Sequence, residues 1–297
     1  MMSDFYGLPT RVISNKYIKL EFLSEAGPRL VRLFLDGLDK NLLAELPNQS
    51  EKTPYGSFRF HGGHRLWHAP ESYPRTYIPD DQGLTFKITS HGVYLEGAIE
   101  AATGVRKSME IVLNPERAEL KVIHTIANQG VWPIELAVWA ITQLPLGGVA
   151  ILPQQVGPLD PSGLLPNRQL VLWTYSRWSD PRLSLADDFL LVSAEPSLPP
   201  LKIGYANRPG WVGYLNNGIL LVKRLPDYTD QPYVDYGSNC ECYCNDQFIE
   251  LESLSALRRL EPDQSISHEE VWRVFPIEVT PTDREAMIQM VEKLVLG

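Results

Sequence analysis

The chain is dominated by short runs in which apolar and polar residues alternate. They include YIKLEFL (17–23), VYLEGAIEA (93–101), KSMEIVL (107–113), AELKVIHTIAN (118–128), DFLLVSA (188–194), GILLVKRL (218–225), FIELESLSAL (248–257) and HEEVWRVFPIEV (268–279). A period of two sends one set of side chains to one face of a strand and the other set to the opposite face. Gly, Pro, Asn and Asp separate the runs at short intervals and supply turns. Only TPTDREAMIQMVEKLVLG (280–297) carries helical spacing. Pro281 precedes it, Thr282 or Asp283 caps it, and Ala286, Met287, Met290, Val291 and Leu294 form its apolar stripe. Many strands and one terminal helix predict an all-β fold of large antiparallel sheets stacked face to face. The 24 prolines and 21 glycines are spread along the chain and mark no linker, so residues 1–297 are expected to form a single domain.

Charge and composition narrow the function. Hydrophobic residues make up 44% and charged residues 21%, with a net charge of -9. That balance disfavours nucleic acid and anionic membrane, which both attract positive fields. No apolar run approaches the roughly 18 residues of a spanning helix, and no leader is visible at the start. The expectation is a cytoplasmic protein with no nucleic-acid or membrane partner. The three cysteines, Cys240, Cys242 and Cys244, alternate within NCECYCND. They read as half-buried thiols on one face of a strand, because neighbours two apart rarely reach disulfide geometry and a zinc site lacks its fourth ligand.

The segment HGGHRLWHAPE (61–71) packs three of the six histidines into eight residues. Gly62, Gly63 and Pro70 exclude a helix. In a strand, His64 and His68 share a face and His61 takes the other, unless the glycines form a bulge. A metal site is the weaker reading, because the HxH spacing that aligns two imidazoles is absent. The residue types suit a sugar: paired glycines permit close backbone approach, Arg65 can donate two parallel hydrogen bonds, Trp67 offers a flat apolar face, and histidine moves protons near neutrality. The competing bland reading has Trp67 in the core, His68 in a surface turn and Arg65 paired with Glu71. Arg75 and Tyr77 in YPRTYIPDD, and Lys202, Arg208, Trp211 and Tyr214 in KIGYANRPGWVGYLNNG, are further rim candidates. The irregular 153–182 segment, with Trp173, Tyr175, Arg177 and Trp178, reads as long loops over one sheet, where function often resides.

An ordered set of motifs resembles the galactose mutarotase-like proteins (aldose 1-epimerases and relatives). These are Gly27 and Arg29 after the first strand of YIKLEFLSEAGPRLVRLFLDG, His61-Gly62-Gly63 with Trp67, Asn128 in VIHTIANQGVWPIELAVWAIT, and Glu250, Glu252, Pro262 and Trp272 near the end. The GGHRLWxAPE block is most similar to an uncharacterised branch of that superfamily. The resemblance implies a β-supersandwich binding a small-molecule carbohydrate on a concave sheet face, with no cofactor and no metal. It implies mutarotation: a carboxylate takes the anomeric proton while an acid protonates the ring oxygen. The base falls on Glu250, with Glu252 on the same face, and Arg29 and His61 become substrate binders alongside Arg65, Trp67, Glu71, Arg75, Tyr77, Trp139 and Lys202. The family's acid histidine has no counterpart here, since Trp139 or a neighbour stands in its place. His64, from another strand, or His61 is the candidate to act with Glu250 or Glu252 instead. An epimerase, a non-catalytic sugar-binding module, and a lyase or hydrolase of an anionic sugar gripped by Arg29, Arg65, Arg75 and Lys202 remain open, as does a homodimer.

Overall fold

The computed structural model describes residues 2–277 and 284–296. Among the described residues, two large antiparallel sheets, of eleven and ten strands, and one two-stranded ribbon account for the strands. Each alternating run named above contributes to a strand. In the eleven-stranded sheet the central strands lie side by side in the order Arg29–Leu35, His64–Ala69, Ile134–Pro145, Phe248–Leu254, Cys240–Cys244, Leu201–Tyr205. The facing sheet has Ile219–Arg224, Ser265–Pro276, Glu119–Asn128 and Val105–Leu113 in sequence at its centre. Leu, Ile and Val from both inner faces fill the space between them, joined by the buried rings of Phe22, Tyr205 and Trp272.

The helix Arg284–Leu296 covers the outer face of the ten-stranded sheet. Its Met287, Ile288, Val291 and Val295 bury against Ile151, Phe189, Trp211 and Leu220, which is the stripe expected of an amphipathic helix on a sheet. Pro281 and the cap assigned to Thr282 or Asp283 lie outside the described residues. The strand Cys240–Cys244 carries its three free thiols on the core side, and all are fully buried rather than half-buried. Burial pushes the Cys240 thiol up to about 12 and the Cys244 thiol up to about 11, which leaves them protonated and unreactive at neutral pH. Among the described residues, no helix is long and apolar enough to cross a membrane.

The paired glycines serve the chain crossing rather than a ligand. Gly62 and Gly63 adopt φ of 88° and 72° where the Gly56–Gly62 strand passes into His64–Ala69. A Cβ on Gly62 would sit 2.1 Å from the Ala44 carbonyl oxygen, and one on Gly63 1.9 Å from that of Leu30. Only glycine fits either place. The crossing also sets the parity of the next strand: His64, Leu66 and His68 turn to the sandwich interior, while Arg65 and Trp67 turn to the opposite, open face.

Candidate functional site

The open face of the eleven-stranded sheet forms a hollow with two adjoining lobes. The inner lobe, about 450 Å³, reaches Arg65, Trp67, Tyr175, Tyr243 and Glu250. The outer lobe, about 520 Å³, is bounded by Pro70, Tyr73 and Asp235. Glu51, Glu71, Tyr77, Trp139, Trp173 and Lys202 line both. Cross-strand register assembles the floor: Trp67 lies opposite Trp139, Glu252 opposite both Ile141 and Glu241, and Glu250 opposite Gln143 and Tyr243. Tyr243 in turn lies opposite Lys202. Residues directly opposite in an antiparallel pair stand on the same face, so pairing five strands gathers side chains far apart in sequence.

Two ion-pair centres stand on this floor. Arg65 Nη2 lies 3.0 Å from Glu250 Oε1, both groups being buried. The Arg65 guanidinium carbon sits 4.4 Å from the Trp67 ring centroid and 5.4 Å from that of Phe60, a stacked position suited to a delocalised cation. Lys202 Nζ lies 2.7 Å from Glu241 and 3.1 Å from Glu252. It also lies 4.6 Å from the ring centroids of both Trp139 and Trp173. Trp139 Nε1 donates to Glu252 Oε2 at 2.7 Å. The Tyr77 hydroxyl donates to Glu71.

Burial and neighbouring charge set the proton affinities. Burial lifts Glu250 to about 7; Arg65 opposes the rise and Glu252 adds to it. Burial likewise pushes Glu241 well above the usual carboxylate range, against the pull of Lys202. Burial works to lower Lys202, but Glu241 and Glu252 outweigh it and hold the ammonium well above its ordinary value. Burial and the bond to Glu71 raise Tyr77. Glu250 is therefore a group at the hollow suited to take or give a proton near neutrality.

Seven of the sequence-predicted site residues line the hollow: Arg65, Trp67, Glu71, Tyr77, Trp139, Lys202 and Glu250. Glu252 stands directly beneath, bonded to two of them. The other four are elsewhere. Arg29 is fully buried, donating to the Phe60 carbonyl at 2.5 Å and pairing with Asp80 at 2.7 Å. Arg75 donates to the Pro70 carbonyl at 2.5 Å and holds the turn beside the outer lobe. His61 is buried with φ 57° on the Gly56–Gly62 strand, and burial, aided by Arg29, lowers it to about 4. It is absent from the hollow's lining and neutral at pH 7, so it supplies no proton there.

His64 faces away from the hollow because alternation gives that face to Arg65. It joins a closed network between the sheets. Its Nδ1 meets the Thr142 hydroxyl at 2.9 Å and its Nε2 meets His124 Nε2 at 2.6 Å. His124 Nδ1 reaches the His268 carbonyl at 3.0 Å, which makes His124 Nδ1 the donor and His124 Nε2 the acceptor from His64. Lys223 Nζ donates to Thr142 at 2.8 Å and pairs with Glu270 at 2.9 Å. Ser253 and Trp272 Nε1 donate to Glu270 at 2.6 and 2.8 Å. His64, His124 and Glu270 stand within 4.8 Å of one another, as metal ligands do. Two imidazole nitrogens 2.6 Å apart are, however, closer than a tetrahedral ion with bonds of about 2.0–2.1 Å would leave them, and Lys223 already supplies the cation that Glu270 needs. The arrangement is a satisfied polar core. His124 belongs to it, and Trp272 is core with its indole N–H partnered.

The sequence pointed to the 153–182 loops but not to their role. Gly204 carries no side chain on the open face, and a Cβ there would lie 3.3 Å from the Trp173 ring and 2.6 Å from Ser238 Oγ. Trp173 folds into that space, and Tyr175 meets Tyr243 edge-on, so that the two form a wall of the inner lobe. Glu51, Tyr73, Asp235, Glu241 and Tyr243 also escaped sequence reasoning. The alternation of Glu241 with the cysteines was the one available signal, since thiols on the core face put Glu241 on the other. Of the remaining rim candidates, Trp211 is buried under the terminal helix, Tyr214 bonds to the Pro145 carbonyl in the core, and Arg208 stacks on Tyr228.

No family model matches the sequence, and no curated protein does. Solved structures do match. A galactose mutarotase-like protein from Lactobacillus casei superposes with a TM-score of 0.60 at 11% identity, over 90% of this chain and 100% of that one. A candidate aldose 1-epimerase from Klebsiella pneumoniae gives 0.60 at 9% identity over 98% and 83%. A TPR-domain containing protein from Parabacteroides distasonis gives 0.61 at 14% identity over 93% of this chain. The chain spans 50% of the length of that last protein. The fold is the galactose mutarotase-like β-supersandwich.

Proposed function

We propose that the chain binds a neutral carbohydrate in the hollow and acts on it as an aldose 1-epimerase-type isomerase, with Glu250 as the proton-transfer group. The observation that carries this reading is a buried carboxylate lifted to about 7, facing a sugar-sized hollow and held by Arg65 at 3.0 Å. Glu250 takes the proton of the anomeric hydroxyl, the bond from C1 to the ring oxygen breaks as the C1 carbonyl forms, and Glu250 returns the same proton to the ring oxygen. The C1 carbonyl then rotates and the reverse transfers close the ring. Arg65 keeps Glu250 oriented, and Trp67, Trp139 and Trp173 offer apolar faces to sugar C–H groups.

The charges weigh against an anionic substrate. Arg29, Arg65, Arg75 and Lys202, expected to grip a carboxylate or phosphate, are each engaged: by Asp80, by Glu250, by the Pro70 carbonyl, and by Glu241 with Glu252. Glu51, Glu71 and Asp235 add negative charge to the walls.

A second reading, a sugar-binding module without turnover, is favoured by one observation. No histidine lines the hollow among the described residues, and Tyr77 and Lys202 are both held in protonated forms that release a proton poorly. Polarimetry of fresh α-glucose and α-galactose separates the two. The isomerase accelerates mutarotation over buffer and loses the effect in Glu250→Gln, whereas a module binds sugar and leaves the optical rotation decaying at the buffer rate.

A further inference from the structure

Resting on the carbohydrate reading, we infer that the outer lobe is a second sugar subsite and that the ligand is a neutral oligosaccharide whose reducing-end ring enters the inner lobe. The two lobes are about 450 and 520 Å³. At roughly 30 Å³ of liquid volume per water, either has room for about fifteen waters, more than the about twelve heavy atoms of one hexopyranose. Arg65 and Glu250 line the inner lobe alone. A ring with C1 beside Glu250 therefore leaves the outer lobe unfilled.

The outer lobe is built, not incidental. The Tyr73 hydroxyl donates to the Lys52 carbonyl at 3.0 Å, which fixes a ring that is 58% exposed at the mouth. Glu71 is held by Tyr77. Asp235 and Tyr236 both adopt left-handed backbone, with φ, ψ of 48°, 55° and 55°, 34°, followed by Gly237 at φ 88°. Two successive non-glycine residues in that region are strained and persist only when their surroundings insist on it. Here Ser238 Oγ donates to the Asp235 carbonyl at 2.8 Å and Gln169 Nε2 to that of Tyr236 at 2.8 Å. This backbone sets Asp235 at the rim of the lobe that Tyr73 also lines. An aromatic ring with carboxylate acceptors around it suits a hydroxyl-rich ring and repels uronic acids and phosphates.

Isothermal titration calorimetry of the full chain tests this. Glucose, galactose and mannose are titrated beside disaccharides with the same sugar at the reducing end: maltose and cellobiose, β-1,4-galactobiose, and β-1,4-mannobiose. At least one disaccharide is expected to bind about tenfold or more tighter than its own monosaccharide. Tyr73→Ala and, separately, Asp235→Asn should bring that ratio down towards one, with circular dichroism confirming the fold of each. Equal affinities, or a gain that survives both substitutions, overturn the second subsite and leave the proposed function standing. Absence of heat from every sugar overturns both.

Discussion

Glu250→Gln gives the sharpest test of the electrostatics at the hollow. In the folded chain Glu250 stands at about 7, against an ordinary 4.5. At 1.36 kcal/mol per pH unit, that difference amounts to about 3 kcal/mol. The sign follows from proton counting. Between pH 4.5 and 7 the folded state holds a proton that the unfolded state has released. The group's contribution is thus complete below about pH 4.5 and is lost as pH rises through 7. Glutamine cannot titrate, so the variant lacks this loss. Loss of the Arg65 partner changes the variant's stability by its own amount, because that guanidinium is buried. The informative quantity is therefore the change with pH of the difference between the two proteins. Urea unfolding at intervals from pH 4.5 to 8 should show the variant gaining on the parent by about 3 kcal/mol across the range. Parallel curves would mean that Glu250 titrates as an ordinary surface carboxylate, and the proton-transfer role would go with it.

Three further outcomes are expected. Lys202→Met strands Glu241 and Glu252, which are 0% and 1% exposed, and should cost about 3–5 kcal/mol in urea unfolding; a loss below 1 kcal/mol would show that Lys202 does not hold the two buried side chains. The interior imidazoles of His64, His124 and His268 are lowered by burial, His268 to about 3, so the unfolded chain binds more protons below about pH 6.5 and thermal stability should decline steadily as pH falls from there; a melting temperature flat to pH 4 contradicts the closed network. Gly63→Ala places a Cβ 1.9 Å from the Leu30 oxygen at φ 72° and should abolish soluble folded protein, whereas a folded variant with weakened sugar binding would return this glycine to the ligand.

Much of this was legible in the chain. The period-two runs announced the strands, and the spacing of Glu250 and Glu252 placed both on one face, as it did the three cysteines. Trp67, Arg65 and Tyr77 were readable as site candidates, and all three line the hollow. The histidines misled because the strand His64–Ala69 is buried on both faces. Alternation there shows which residues stand together but not which set looks into the hollow.

The sequence by itself determined local geometry: strand or helix, which side chains share a face, and where glycine is obligatory, since these follow from backbone sterics over a few residues. Tertiary structure alone decided which face became core and which became hollow, that Lys202 meets two glutamates from other strands, and that burial lifts Glu250 to about 7. Those outcomes depend on the pairing order of five strands and on the solvent each group loses, quantities that exist only once distant segments have met.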